Sequence, residues 1–174
     1  YDILKNRWLA ARDPFGIKPL YFFKDHNIKC LGSESGLIAK ALNLDIDEYS
    51  IEEWKMFRAP APGFTFYKNL MDFPKGTYYL SDKDKFTKYW EISEKKKPSF
   101  SQTKLEDIIK NSVETHQVGD LRPVSLLSGG IDSSIINLFS NRVKNTYSVG
   151  MEQNNEFQSA DKTASLLDKS LKKT

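Results

Sequence analysis

Apolar residues in the first ninety positions fall in short β-prone runs set off by turn formers. Arg7 to Ala11, Pro19 to Lys24, Ile28 to Leu31 and Gly76 to Leu80 are predicted strands, punctuated by pairs such as Asp13-Pro14 and Lys75-Gly76. Asp25-His26-Asn27 between two of them predicts a hairpin with a short loop. Ser50-Ile51-Glu52-Glu53 matches a capping box, so Ile51 to Arg58 is read as a short helix, stopped by Ala59-Pro60-Ala61-Pro62-Gly63. Of the 22 aromatic residues, 18 lie in the first ninety positions, which implies that the two parts of the chain differ in architecture.

Past residue 100 the rhythm changes. Thr103-Lys104-Leu105-Glu106 reads as a second capping box, and Leu105, Ile108, Ile109, Ser112 and Val113 follow the i, i+3, i+4 spacing of one apolar helix face. Then come a short apolar strand, Val124 to Leu127, a helix, Ile131 to Arg142, a strand, Thr146 to Val149, and a helix, Phe157 to Leu167, with Ala160, Ala164 and Leu167 on one side. This alternation predicts βαβ units on a parallel sheet, the start of a doubly wound α/β domain. The chain is expected to stop in or just after that last helical pattern, with two strands and no third. Glu94-Lys95-Lys96-Lys97-Pro98, charged and without apolar residues, is the linker candidate.

Composition narrows the function classes. A length of 174 residues allows one domain or two small ones, and 39% hydrophobic with 28% charged residues suits a globular chain. A net charge of +3, with lysines scattered among acids, argues against a nucleic-acid partner. No apolar run approaches the ~20 residues of a membrane span, and no signal segment opens the chain. The single Cys30 cannot form an internal disulfide, which favours a reducing, cytoplasmic setting, and no Cys/His cluster has zinc spacing. Tyr1-Asp2-Ile3 leads straight into a strand-like run, so an internal piece of a longer protein is expected.

Leu127-Ser128-Gly129-Gly130-Ile131-Asp132-Ser133-Ser134 carries the chemistry. It joins a strand to a helix, where ligands bind in parallel sheets. The glycines permit a tight turn and close backbone approach, while successive amides and the helix N-terminus suit an anion. Ser128, Ser133 and Ser134 offer hydroxyl donors without adding charge. Asp132 suits an anion site once a Mg2+ is shared between its carboxylate and phosphates. The spacing fits neither a Gly-Lys-Ser/Thr loop nor a dinucleotide fingerprint. The plainer reading is a serine-rich helix N-terminus with Asp132 complementing the dipole.

The Ser128-Gly129-Gly130-Ile131-Asp132-Ser133 run resembles the PP-loop of ATP pyrophosphatases. Ala11-Arg12-Asp13-Pro14-Phe15-Gly16-Ile17-Lys18-Pro19-Leu20-Tyr21 resembles a segment of class II glutamine amidotransferase domains, as do Gly32-Ser33-Glu34, Asp72 to Gly76 and Lys88-Tyr89-Trp90. Their order, with Tyr147-Ser148-Val149-Gly150 downstream, resembles the glutamine-hydrolysing asparagine synthetase family along nearly the whole chain.

The resemblance implies the later part of an N-terminal-nucleophile-type antiparallel β sandwich at 1–90, a linker at 91–100, and the start of a PP-loop doubly wound α/β domain at 101–174. It implies ATP and Mg2+, with glutamine and aspartate as substrates. Leu127 (through its backbone) and Val149 would hold adenine, and Ser128, Gly129, Gly130, Ser133 and Ser134 the pyrophosphate, with Asp132 near the metal. It implies aspartate-to-asparagine chemistry through a β-aspartyl-AMP intermediate, and leaves homodimerisation of the intact protein open. Two other functions stay open: a relative acting on a sugar or other carboxylate, and a non-catalytic nucleotide-binding remnant.

The family's glutaminase nucleophile is an N-terminal Cys exposed by loss of Met. This chain has none, and Cys30, within a β-run, does not replace it. No catalytic residue is therefore assigned, and the isolated chain is expected to lack both half-reactions. Gly32 for Ala and Lys75 for Pro depart mildly from the pattern. Arg12 and Asp13 are read as bracing a turn at the domain interface, His26 and His116 as solvated or capping, and Glu156 as a first-turn acid.

Overall fold

A computed structural model describes residues 1–93, 99, 101–153 and 155–174. The chain divides into two compact units, Tyr1–Lys95 and Lys96–Thr174. The proposed linker, Glu94 to Pro98, lies outside the described residues.

The first unit contains two three-stranded antiparallel sheets. One has β1 (Leu9–Ala11), β5 (Thr77–Leu80) and β6 (Lys85–Lys88) in the order β1-β5-β6. The other has β2 (Tyr21–Lys24), β3 (Lys29–Gly32) and β4 (Leu70–Asp72) in the order β3-β2-β4. The predicted hairpin is present: β2 pairs β3, and the Asp25 carboxylate closes the turn by accepting from Asn27 N at 2.8 Å and Ile28 N at 2.7 Å. Those two amides hold the Asp25 carboxyl below its ordinary range.

Strand periodicity divides the core. Successive residues of β2 face opposite sides, so Phe22 packs with Phe73 and Tyr79 while Phe23 packs with Ile38 and Leu70. The first cluster gathers many of the unevenly distributed aromatics, with ring centroids 4.9 Å apart for Phe22–Tyr79, 5.2 Å for Trp8–Tyr79 and 5.1 Å for Phe73–Phe86. Each such pair adds about 0.5–1.5 kcal/mol beyond its burial. The second cluster is covered by α1 (Ser35–Leu42), which contributes Ile38. Between the sheets, Asp84 of the β5–β6 turn meets Lys24, Lys29 and the Tyr79 hydroxyl. These donors, the Lys24 ammonium foremost, hold its carboxyl well below the usual range.

Arg12 and Asp13 brace the loop after β1. The Arg12 guanidinium donates to Lys18 O at 3.1 Å, Phe73 O at 2.6 Å and Gly16 O at 3.3 Å, and pairs with Asp72 at 2.8 Å. The Asp13 carboxylate accepts from the amides of Ile17, Lys18 and Phe15, which lower its pKa.

Two strands and one cap differ from the sequence reading here. β4 and β6 were not predicted, since Leu-Met-Asp and Lys-Phe-Thr-Lys are short and gain strand form only by pairing with β2 and β5. α2 runs Glu48–Phe57 and is capped by Asp47, whose side chain accepts from Tyr49 N at 3.1 Å. Ser50, read as the cap, sits inside the helix, 1% exposed, with its hydroxyl donating to Asp47 Oδ2 at 3.3 Å. A carboxylate three residues upstream out-competed the hydroxyl for the helix start.

The second unit holds α3 (Gln102–His116), β7 (Ser125–Leu126), α4 (Ile131–Phe139), β8 (Asn145–Ser148), α5 (Phe157–Leu166) and β9 (Ser170–Lys173). Its sheet is wholly parallel, in the order β7-β8-β9. The expected two-strand count is thus corrected to three among the described residues. β9 contains one apolar residue, Leu171, so no pattern announces it, and pairing with β8 makes it a strand. Leu127, Ala160 and Ala164 form the buried cluster, with Leu171 packed against it.

α3 is capped by Ser101, which accepts from Lys104 N at 3.3 Å, and not by Thr103. Its expected apolar face is only half used: Ile109 and Val113 are half-buried, whereas Leu105 and Ile108 are exposed. α4 ends at Phe139, three residues early, because Ser140 leaves helical geometry at ψ 85°.

Candidate functional site

The loop between β7 and α4 is built around one glycine and a Ser128–Ser133 hydroxyl pair. Gly129 has φ +82°, the left-handed region that other residues enter at a cost. A Cβ there would lie 2.6 Å from Ser159 Cβ and 2.7 Å from Ala160 N, with the Ser159 carbonyl carbon nearer still. The bare Gly129 backbone therefore rests on the start of α5. This sharpens the reading of close approach to a ligand: the neighbour that requires a glycine is a helix of this unit. Gly130, at φ −69° and ψ 161°, has ordinary extended geometry.

Ser128 and Ser133 bond to each other, and Ser134 bonds to the backbone. Ser128 Oγ and Ser133 Oγ are 3.1 Å apart, Gly130 N donates to Ser128 Oγ at 3.2 Å, and Ser128 N to Ser133 Oγ at 3.3 Å. The Ser133 and Ser134 hydroxyls donate to Gly130 O at 3.1 and 2.8 Å. Gly130 stands at the N-cap of α4 with no side chain to offer. The first-turn amides of Ile131, Asp132 and Ser133 are therefore left for water or an anion. Asp132 is exposed in that same first turn.

Leu127 is 1% exposed, so its side chain belongs to the core and only its backbone can meet a ligand; its N–H already donates to Tyr147 O at 2.8 Å. Val149 follows β8 and is 69% exposed. Since β7 and β8 are adjacent parallel strands, Leu127 to Ser134 and Val149-Gly150 both leave from carboxyl ends, side by side in the sheet order. Gly150 N donates to Thr174 O and Thr174 N to Ser148 O, both at 3.0 Å, which ties the Val149 loop to the end of β9.

The sequence reading passed over Asn137. It lies on α4 at 0% exposure, and its Nδ2 donates to Ser133 O at 2.8 Å, Ser125 Oγ at 3.1 Å and Leu126 O at 3.3 Å. An amide among apolar helix positions, four residues after Ser133, was the available signal. Lys169 was also missed. Its ammonium donates to Ser140 O at 2.9 Å and Val143 O at 2.7 Å at the end of α4, and burial lowers its pKa.

Among the described residues no group of three or more His, Cys, Asp or Glu would hold a metal, and no helix is long and apolar enough to cross a membrane. Cys30 is half-buried on β3 and packs on the Phe23, Ile38 and Leu70 cluster. His26 lies in the β2–β3 loop, and His116 closes α3 with Nδ1 2.8 Å from Ser112 O. Glu156 is the N-cap of α5 without a side-chain capping bond.

Comparison with known proteins gives two family matches in tandem. The glutamine amidotransferase domain matches residues 1–90, and asparagine synthase matches residues 104–170. Similar curated proteins include asparagine synthetase [glutamine-hydrolyzing] 1 of Bacillus subtilis (strain 168), 31% identical over 91% of this chain and 27% of that protein. Asparagine synthetase [glutamine-hydrolyzing] 3 of the same organism is 27% identical over 90% of this chain and 28% of its own length. Asparagine synthetase B [glutamine-hydrolyzing] of Escherichia coli (strain K12) is 24% identical over 82% of this chain and 22% of its own. The chain thus spans about a quarter of the length of these relatives.

Proposed function

We propose, from the premise that this chain belongs to the asparagine synthetase family through its glutamine amidotransferase domain, that it serves ATP-dependent, glutamine-hydrolysing synthesis of asparagine. The supporting observation is the Leu127 to Ser134 loop. It lies at the carboxyl end of a parallel strand, next to the Val149 loop, and opens an uncapped helix N-terminus. We assign residues 1–90 to part of an N-terminal-nucleophile-type sandwich, 91–100 to a linker, and 101–174 to the start of a PP-loop domain in a cytoplasmic enzyme.

In this reading a side-chain carboxylate oxygen of aspartate attacks the α-phosphorus of ATP and pyrophosphate leaves. Ammonia from glutamine then attacks the acyl carbon and AMP leaves. The residues here receive the departing pyrophosphate. The amides of Ile131 to Ser133 point charge-free donors at it, and the Ser128, Ser133 and Ser134 hydroxyls turn from their present acceptors to phosphate oxygens. The Leu127 backbone and the Val149 side chain bracket adenine. Asp132 would hold a Mg2+ through its one carboxylate, and among the described residues no group of three or more His, Cys, Asp or Glu would add to it. When bound, that ion neutralises charge on the leaving group.

The test is aspartate-dependent ATP–pyrophosphate exchange by the intact protein. Asp132→Ala abolishes it in this reading, and exchange at the wild-type rate in that variant would refute the role given to the loop.

A further inference from the structure

Asn137 grips both ends of the candidate phosphate loop with one nitrogen. Its Nδ2 reaches Leu126 O, directly before the loop, and Ser133 O, near its far end, at 3.3 and 2.8 Å. A third acceptor, Ser125 Oγ, lies at 3.1 Å. An amide nitrogen carries two hydrogens, so one of them is shared among these acceptors. Three acceptors around Nδ2 also fix the orientation of the amide. The other end of the group, Oδ1, is buried without a partner among the described residues. Three donor contacts at 0% exposure give this side chain a contribution that an apolar residue of the same size would not make.

That contribution is loop geometry. Ser133, whose carbonyl Asn137 holds, is the residue whose hydroxyl accepts from Ser128 N and lies 3.1 Å from Ser128 Oγ. Asn137, Ser133 and Ser128 therefore form a chain from the interior of α4 to the lip of the loop. The span between Leu126 and Ser133 sets where the amides of Ile131 to Ser133 point, and one side chain bridges it.

We infer that Asn137 is a positioning residue that holds the Leu127 to Ser134 loop in the form that receives pyrophosphate; this rests on the pyrophosphate role proposed above. It touches no ligand and acts through the Leu126 and Ser133 carbonyls that it holds.

The experiment compares the intact wild-type protein with Asn137→Leu and Asn137→Ser. Three quantities are read: inorganic pyrophosphate affinity by calorimetry, KM for pyrophosphate and kcat in ATP–pyrophosphate exchange, and the melting temperature. Asn137→Leu removes both the bridge and the orphaned oxygen, so it melts within a few degrees of wild type. Its Kd and KM for pyrophosphate rise about tenfold, with a smaller change in kcat. Asn137→Ser, which keeps a hydroxyl donor for Ser133 O and loses the reach to Leu126 O, gives an intermediate loss. Wild-type pyrophosphate affinity in a folded Asn137→Leu would overturn the positioning role while leaving the loop's function intact. Unfolding of both variants would also overturn it, by showing a purely structural anchor. Absence of pyrophosphate binding by the wild-type protein would remove the function and the inference together.

Discussion

Two adjacent glycines make opposite predictions. Gly129→Ala puts a Cβ within 2.7 Å of Ala160 N and 2.6 Å of Ser159 Cβ, on a backbone at φ +82°. Left-handed geometry costs an alanine about 1–2 kcal/mol, and overpacking against atoms that cannot swing away adds about 1–3 kcal/mol. The sum, about 2–5 kcal/mol, falls on the contact between the loop and α5, whose Ala160 and Ala164 are core residues. Gly130→Ala meets only Ser128 Oγ, at 3.3 Å, on ordinary extended backbone, and costs well under about 1 kcal/mol. Hydrogen exchange at the α5 amides is the assay, because it reads opening of this unit apart from the other. At tenfold per 1.4 kcal/mol, Gly129→Ala accelerates that exchange about 30-fold or more, and Gly130→Ala less than about fivefold. Equal acceleration by the two substitutions would refute the claim that α5, and not a ligand, is what demands a glycine at 129.

The other unit gives two further tests. Asp84 has its pKa lowered in the folded chain by Lys24, Tyr79 and Lys29, so its stabilisation is complete above the unfolded carboxyl value near 3.8 and is lost as pH falls through the folded value. Asp84→Asn should lower the urea midpoint of this unit at pH 7 and flatten its fall below about pH 4; an unchanged acid limb would contradict the clamp. Arg12→Lys keeps the charge and loses the planar fork to Phe73 O, Gly16 O and Lys18 O. A loss of about 2–3 kcal/mol in urea unfolding is expected, and wild-type stability would show that the Asp72 pair suffices without the carbonyl contacts.

The sequence disclosed some features and concealed others for definable reasons. Helix α4, its loop and the β2–β3 hairpin were legible because their signals are local: a glycine pair after an apolar strand, an Asp-x-Asn turn. β4, β6 and β9 were not, since Leu70–Asp72, Lys85–Lys88 and Ser170–Lys173 become strands only through partners elsewhere in the chain. Both capping boxes misled in the same way. Asp47 and Ser101 stand upstream of Ser50 and Thr103 and captured the helix starts first. In the candidate site, the serines and Asp132 declared themselves by motif. Asn137 did not, because its role depends on three acceptors that only the folded β7–α4 packing assembles.

The pairing of β1 with β5 has a consequence for synthesis. Leu9 faces Leu80 and Ala11 faces Tyr78, so β1 meets this partner only after some seventy more residues have left the ribosome. At about 5–20 residues per second that is a wait of roughly 4–14 s, against about 1–10 μs for a hairpin such as β2–β3 to close. Trp8 and Ala10 reach their full place in the aromatic cluster only once Phe73 and Tyr79 have followed. The β2–β3 hairpin can therefore close well before the β1–β5 ladder that flanks it in sequence.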